Sequence, residues 1–147
     1  MSRLSAPLAA LALLLAAAPA AALDYRSLSQ AAVMYDAPSV KAAPIFVVAR
    51  DTPVEVVVAV DGWLKVRDAS GSLAWIENGV VSDKRTLLVT AARAQIRAQP
   101  DANAPLVFAA EKDVVLELLD PAPPGWAKVR HQDGQEGYVR ADQVWGL

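Results

Sequence analysis

The 147-residue sequence has no cysteine, one histidine, 54% hydrophobic and 20% charged residues, and a formal net charge of −2. Without thiols it has no disulfide framework, no cysteine-linked lipid and no thiolate nucleophile, and a lone histidine is too little for a zinc site. The mild, mixed charge gives no electrostatic reason to expect nucleic acid.

Met1-Ser2-Arg3 makes a short basic start, and Leu4 to Leu15 is an apolar run broken only by Ser5 and Pro7, followed by Ala18-Pro19-Ala20-Ala21-Ala22. A basic start, an apolar centre and a small-residue cleavage site in that order read as a secretory leader over 1–22, cut near Ala22 and Leu23. The run falls short of the roughly 20 apolar residues of a spanning helix, and there is no second apolar stretch. The mature chain is therefore expected to be periplasmic or secreted, without a membrane span. Arg3 is the only charged residue of the first 22, so the mature chain is one unit more acidic.

Downstream, Ile45-Phe46-Val47-Val48, Val54 to Val60 and Trp63 to Val66 are short, β-branched or aromatic, and bounded by Pro, Asp and Gly, which predicts strands. Alternation sets Val54, Val56, Val58 and Val60 on one face, with Glu55 and Val57 on the other. Asp68-Ala69-Ser70-Gly71 supplies a tight hairpin. Ser82 to Thr86 reads as a very short linker, and Leu87-Leu88-Val89-Thr90 as the first strand of a second unit.

That second unit is a copy of the first. Gly62-Trp63-Leu64-Lys65-Val66-Arg67 returns as Gly125-Trp126-Ala127-Lys128-Val129-Arg130 at an offset of 63 residues, which also carries Gly71 to Gly134, Trp75 to Tyr138, Ile76 to Val139 and Val81 to Val144. Val54-Glu55-Val56 matches Leu116-Glu117-Leu118 with the offset slipping by a residue. The expected architecture is all-β: two small barrels, 23–83 and 84–147, held at a nearly fixed angle by the short linker. Copies of this size bury marginal cores, so contact between them should help, with Val57 as a candidate for that contact.

These residues resemble tandem bacterial SH3 (SH3b) domains, and the chain is similar to a group of exported proteobacterial proteins with a leader and two such domains. The marks are Ala32-Val33-Met34-Tyr35-Asp36-Ala37-Pro38, Gly62-Trp63-Leu64-Lys65-Val66 and Ala74-Trp75-Ile76 in the first copy. The second has Gln95-Ile96-Arg97-Ala98-Gln99-Pro100, Gly125-Trp126-Ala127-Lys128-Val129 and Gly137-Tyr138-Val139. The first copy departs further, with Ala74 for the usual glycine and Met34-Tyr35 for the usual Val-Arg. The resemblance implies a barrel that binds peptides or cell-wall glycopeptide, with no hydrolase module in this chain. Eukaryotic SH3 domains are more distantly similar; Tyr35 alone stands for their tyrosine groove, so polyproline recognition is not expected.

No catalytic constellation emerges. His131 sits at a predicted hairpin tip, and Asp61, Asp68, Glu77, Asp120, Asp133, Glu136 and Asp142 are spread over turns and strand ends. A chain this small leaves little concave volume, and no glycine-rich phosphate loop is present. The reading is a non-enzyme without cofactor or metal. In each Gly-Trp strand, parity sets Leu64 and Val66, or Ala127 and Val129, against an outer face of Trp63, Lys65 and Arg67, or Trp126, Lys128 and Arg130. Trp63 and Trp126 are the leading ligand contacts, with Tyr35, Lys65 and Lys128 behind them. The sequence does not fix the hairpin register: one register pairs Trp63 with Trp75 on the outside and a shift by one turns Trp75 inward, with core filling the safer expectation for Trp75 and Tyr138. Three functions compete: first a periplasmic adaptor gripping a partner protein's peptide or peptidoglycan, then a structural subunit docked into a larger cell-envelope complex, and last an unrecognised wall-lytic enzyme.

Overall fold

The computed structural model describes Ser2, residues 23–121 and residues 123–147; the expected leader otherwise lies outside the described residues. In the first copy, β1 (Asp24–Leu28), β2 (Ala32–Tyr35), β3 (Pro44–Val48), β4 (Pro53–Val60), β5 (Trp63–Arg67) and β6 (Leu73–Glu77) precede a 3-10 turn at Asn78–Val80 and β7 (Val81–Ser82). The second repeats the series: β8 (Thr86–Val89), β9 (Arg93–Arg97), β10 (Leu106–Glu111), β11 (Val115–Asp120), β12 (Trp126–Arg130), β13 (Glu136–Arg140), a 3-10 turn at Ala141–Gln143 and β14 (Val144–Trp145). The sheets have equivalent orders, β3-β2-β6-β5-β4-β1-β7 and β10-β9-β13-β12-β11-β8-β14, antiparallel throughout.

Each sheet curls around its own core. Leu28 of β1 and Met34 of β2, near opposite ends of the strand order, are buried in one cluster with Val54, Leu64, Val66 and Ile76. Leu87, Ile96, Leu116, Ala127, Val129 and Val139 form the equivalent cluster in the second copy. Two separate hydrophobic hearts, made by inward alternation along short strands, define two barrel-like units.

The alternation expected of β4 stops at a bulge. Val56 pairs with Val66, but Val58 pairs with Lys65, so Val57 is the extra residue and every later side chain changes face. Val58 and Val60, expected beside Val54, are 43% and 46% exposed on the outer face. The second copy shifts register at the matching place, between Leu118 and Asp120.

The junction holds the copies together. Ser27, fully buried, donates from Oγ to the Lys84 carbonyl at 2.7 Å, and Thr86 Oγ1 donates to the Asp51 carbonyl at 2.7 Å. Lys84 Nζ lies 3.3 Å from the Asp51 carboxylate. The Arg85 guanidinium lies 5.5 Å from the Tyr25 ring centroid and donates to the Gly146 carbonyl at 2.7 Å, while Trp145 meets Tyr25 edge-on. Burial, followed by the nearby Glu55 carboxylate, raises the Tyr25 phenol above its ordinary pKa. Val57, the bulged residue, is 42% exposed. Buried hydrogen bonds and a cation over an aromatic ring resist bending far better than a five-residue polar tether would alone.

Candidate ligand-binding faces

Each copy presents the outer face of its central three strands. In the first, Tyr35 pairs with Trp75 and Trp75 with Lys65, making one row; Glu77 pairs with Trp63 in the next. In the second, the rows are Arg97, Tyr138 and Lys128, then Arg140 and Trp126. The tryptophans start their strands because Gly62 and Gly125 turn the chain with φ of 75° and 83°, a conformation glycine adopts without a Cβ clash. A backbone bond from Asn78 to the Gly62 carbonyl, and from Ala141 to that of Gly125, pins each 3-10 turn against that corner.

The five residues singled out by sequence all lie on these faces. Tyr35 and Trp63 touch edge-on, with centroids 5.7 Å apart and planes at 81°. Lys65 leans toward Trp75, its Nζ 6.0 Å from that ring. Trp126 lines a cavity of about 410 Å³, and Lys128 sits in the neighbouring row opposite Tyr138. All five are half-buried, with an edge or face left to solvent.

Trp75 and Tyr138 are not core residues. Their register opposite Lys65 and Lys128 puts both on the outer face, half-buried, while Ala74, Ile76, Gly137 and Val139 point inward. Sequence reasoning also passed over Glu77, Arg97 and Arg140 as contacts. Parity ties Glu77 to Trp75 and Arg140 to Tyr138, but the face each pair takes depends on hairpin register, which the chain alone does not reveal.

Matching positions carry different chemistry. A cavity of about 240 Å³ in the first copy is lined by Val33, Tyr35, Glu77 and Val80. The larger cavity in the second is lined by the corresponding Gln95, Arg97, Arg140 and Gln143, with Trp126 and Asp142. A third cleft, about 600 Å³, runs between the copies, with Phe46, Val47 and Val54 on one wall and Leu88, Thr90 and Lys112 on the other. The concave volume is thus larger than so short a chain led one to expect.

Most other charges on the second face are paired. Arg130 contacts Glu136 at 2.7 Å and Glu117 at 3.6 Å, and its hydrogen bond to Glu136 holds that carboxyl below its usual pKa. His131 stands at the β12–β13 hairpin, where its Nδ1 accepts from the Asp133 backbone N–H and its ring meets Phe108 edge-on. Backbone donation from Gln135 lowers the Asp133 carboxyl below its ordinary pKa. No group of three or more His, Cys, Asp or Glu among the described residues can hold a metal ion, and no helix there is long and apolar enough to cross a membrane.

Two small antiparallel barrels in tandem, each with an aromatic and charged outer face, define the class. The Bacterial SH3 domain family matches residues 29–83 and 90–146, and the chain belongs to that family. Among curated proteins none matches the sequence. Among solved structures the chain is similar to NlpC1 from Trichomonas vaginalis, at 16% identity and a TM-score of 0.39, covering 88% of this chain and 48% of that one. It is similar to NlpC2 from the same organism, at 16% identity and a TM-score of 0.38, covering 84% and 48%. An NlpC/P60 family protein from Bacillus cereus ATCC 10987 matches at 14% identity and a TM-score of 0.38, covering 83% and 56%. The chain spans about half the length of these structures.

Proposed function

We propose that this chain is an exported, non-catalytic binding protein whose two SH3b barrels grip an extended peptide segment, either of a cell-envelope partner protein or of peptidoglycan, along their outer faces. The observation that carries the reading is the recurrence of one arrangement in both copies: a half-exposed tryptophan beside a groove, flanked by a second aromatic and a lysine. Flat aromatic surface contributes contact area with little side-chain entropy to lose, and aromatic residues are enriched where surfaces bind. The leader-like start supports export; N-terminal sequencing of periplasmic material should begin at Leu23.

Retention of the mature protein on purified sacculi, compared with Trp63→Ala, Trp126→Ala and the double variant, tests the grip. Truncating both tryptophans is expected to weaken retention by about tenfold or more; undiminished retention removes the aromatic faces as the site. Release of soluble muropeptides by the purified protein would overturn the non-catalytic part. One observation favours the rival structural-subunit reading: β3 lies at the sheet edge with Ile45, Phe46 and Val47 exposed at 44%, 39% and 81%, and such edges invite another chain. If Val47→Lys abolishes recovery of a crosslinked envelope partner while the tryptophan variants do not, that reading takes precedence.

A further inference from the structure

We infer that the groove of the second domain is a carboxylate-binding subsite, and that the first domain lacks one. The inference rests on the outer-face grip proposed for both domains and narrows it. Arg97 donates from Nη1 to the Ala104 carbonyl at 2.7 Å and from Nη2 to Gln95 Oε1 at 2.6 Å. Both acceptors are neutral, so the guanidinium is held in place with no carboxylate paired to it among the described residues. Arg140, at the same cavity, is matched by Asp142, which accepts from its Nε at 3.2 Å and from its Nη2 at 3.0 Å. Two guanidinium groups facing one carboxylate leave one positive charge in excess beside the indole of Trp126.

A single excess charge next to a flat apolar wall fits a singly charged anion with a small apolar group attached, and a peptide's terminal carboxylate is such a group. A guanidinium offers paired N–H donors to a carboxylate's two oxygens, and a held guanidinium loses less freedom on binding. A phosphate dianion would overfill that excess. The matching positions of the first groove are Tyr35 and Glu77, and a carboxylate brought there meets a like charge. The two domains therefore divide the work: one groove takes a neutral or cationic stretch of a peptide, the other its acidic end.

The test uses N-acetyl-alanyl-alanine and its C-terminal carboxamide, each as the all-L and the all-D isomer, titrated into the mature two-domain protein with NMR detection at the indole and guanidinium N–H groups. The acid should shift Trp126 and Arg97 and leave Trp63 unmoved, and the carboxamide should bind about tenfold or more weakly. Arg97→Gln and, independently, Arg140→Gln should weaken the acid's effect, with the unchanged Trp63 signal reporting an intact fold. Preference for the all-D acid points to a cell-wall stem peptide, and for the all-L acid to a protein C terminus; either supports the subsite. Equal shifts by acid and carboxamide at Trp126 would overturn the carboxylate inference while leaving the outer-face grip standing. A stronger effect of inorganic phosphate than of the acid would overturn it too. If neither indole responds to any probe and retention on sacculi ignores both tryptophans, both readings fall.

Discussion

The two domains agree inside and differ outside. Leu64, Val66 and Ile76 of the first correspond to Ala127, Val129 and Val139 of the second, all buried. On the outer faces, Tyr35 and Glu77 face Arg97 and Arg140 across the repeat. The duplicated frame repeats its packing while the two grooves differ in charge and side-chain chemistry. One inner difference is coupled. A Cβ built on Gly137 would lie 2.5 Å from Ile96 Cγ2 and 2.7 Å from the Arg97 carbonyl oxygen, whereas the first domain has Ala74 at that place, buried, with Met34 where Ile96 stands. Methionine has no branch at Cβ, so the methyl of Ala74 meets no Cγ2.

That coupling gives the largest expected effect. Gly137→Ala should destabilise the second domain by about 2–3 kcal/mol, since both contacts are too close and one is backbone; Ala74→Gly should cost the first only about 1 kcal/mol. Urea denaturation of each variant compares them, and equal losses would mean that the domains pack alike at this point. Next is the junction, where Thr86→Val leaves the Asp51 carbonyl without the donated hydrogen bond and should cost about 1–2 kcal/mol. Residual dipolar couplings should then report a looser angle between the domains; an unchanged angle would show that Ser27 and Arg85 suffice.

A graft sharpens the contrast between the grooves. Tyr35→Arg combined with Glu77→Arg puts the second domain's cations into the first, and N-acetyl-alanyl-alanine should then shift the Trp63 indole with about a tenfold gain in affinity, or about 1.4 kcal/mol. No gain would mean that the cavity shape of the second domain matters as much as its charge. The smallest effect concerns Glu136. Its carboxyl is held below the usual value in the folded chain, so it favours folding above the unfolded-state pKa, and that contribution is lost as pH falls through the folded value. Arg130→Ala should return the Glu136 midpoint, read by carboxyl NMR, to the ordinary glutamate range, with a barely measurable change in stability because the pair is exposed.

Much of this was legible in the chain. The constant offset of 63 residues located the duplicated unit, and parity put Leu64 and Val66 inside and Trp63 and Trp126 outside. Parity failed where one residue was added: the bulge at Val57 turned Val58 and Val60 outward, and because the second copy shifts register at the matching place, comparing the copies leaves no trace of it. Trp75 and Tyr138 were misplaced for a related reason. Hairpin register, set by turn geometry, decides which strand neighbour an aromatic faces, and no residue pattern revealed that Lys65, rather than Trp63, stands opposite Trp75. The setting of Arg97 between two neutral acceptors was invisible for another reason, because it depends on Ala104 and Gln95 being brought to it by the fold.

The clamp formed by Ser27, Arg85 and Thr86 bears on how strongly the protein can hold anything long. With the angle between the barrels fixed, a strand that occupies one groove presents its remainder to the other at an effective concentration set by geometry instead of by diffusion. Avidity of that kind multiplies weak contacts by factors of about 10² to 10⁴, and only for ligands whose repeat matches the spacing. Under the proposed grip the molecule would act as a caliper: loosening the junction would leave each groove intact and erase any preference for ligand length.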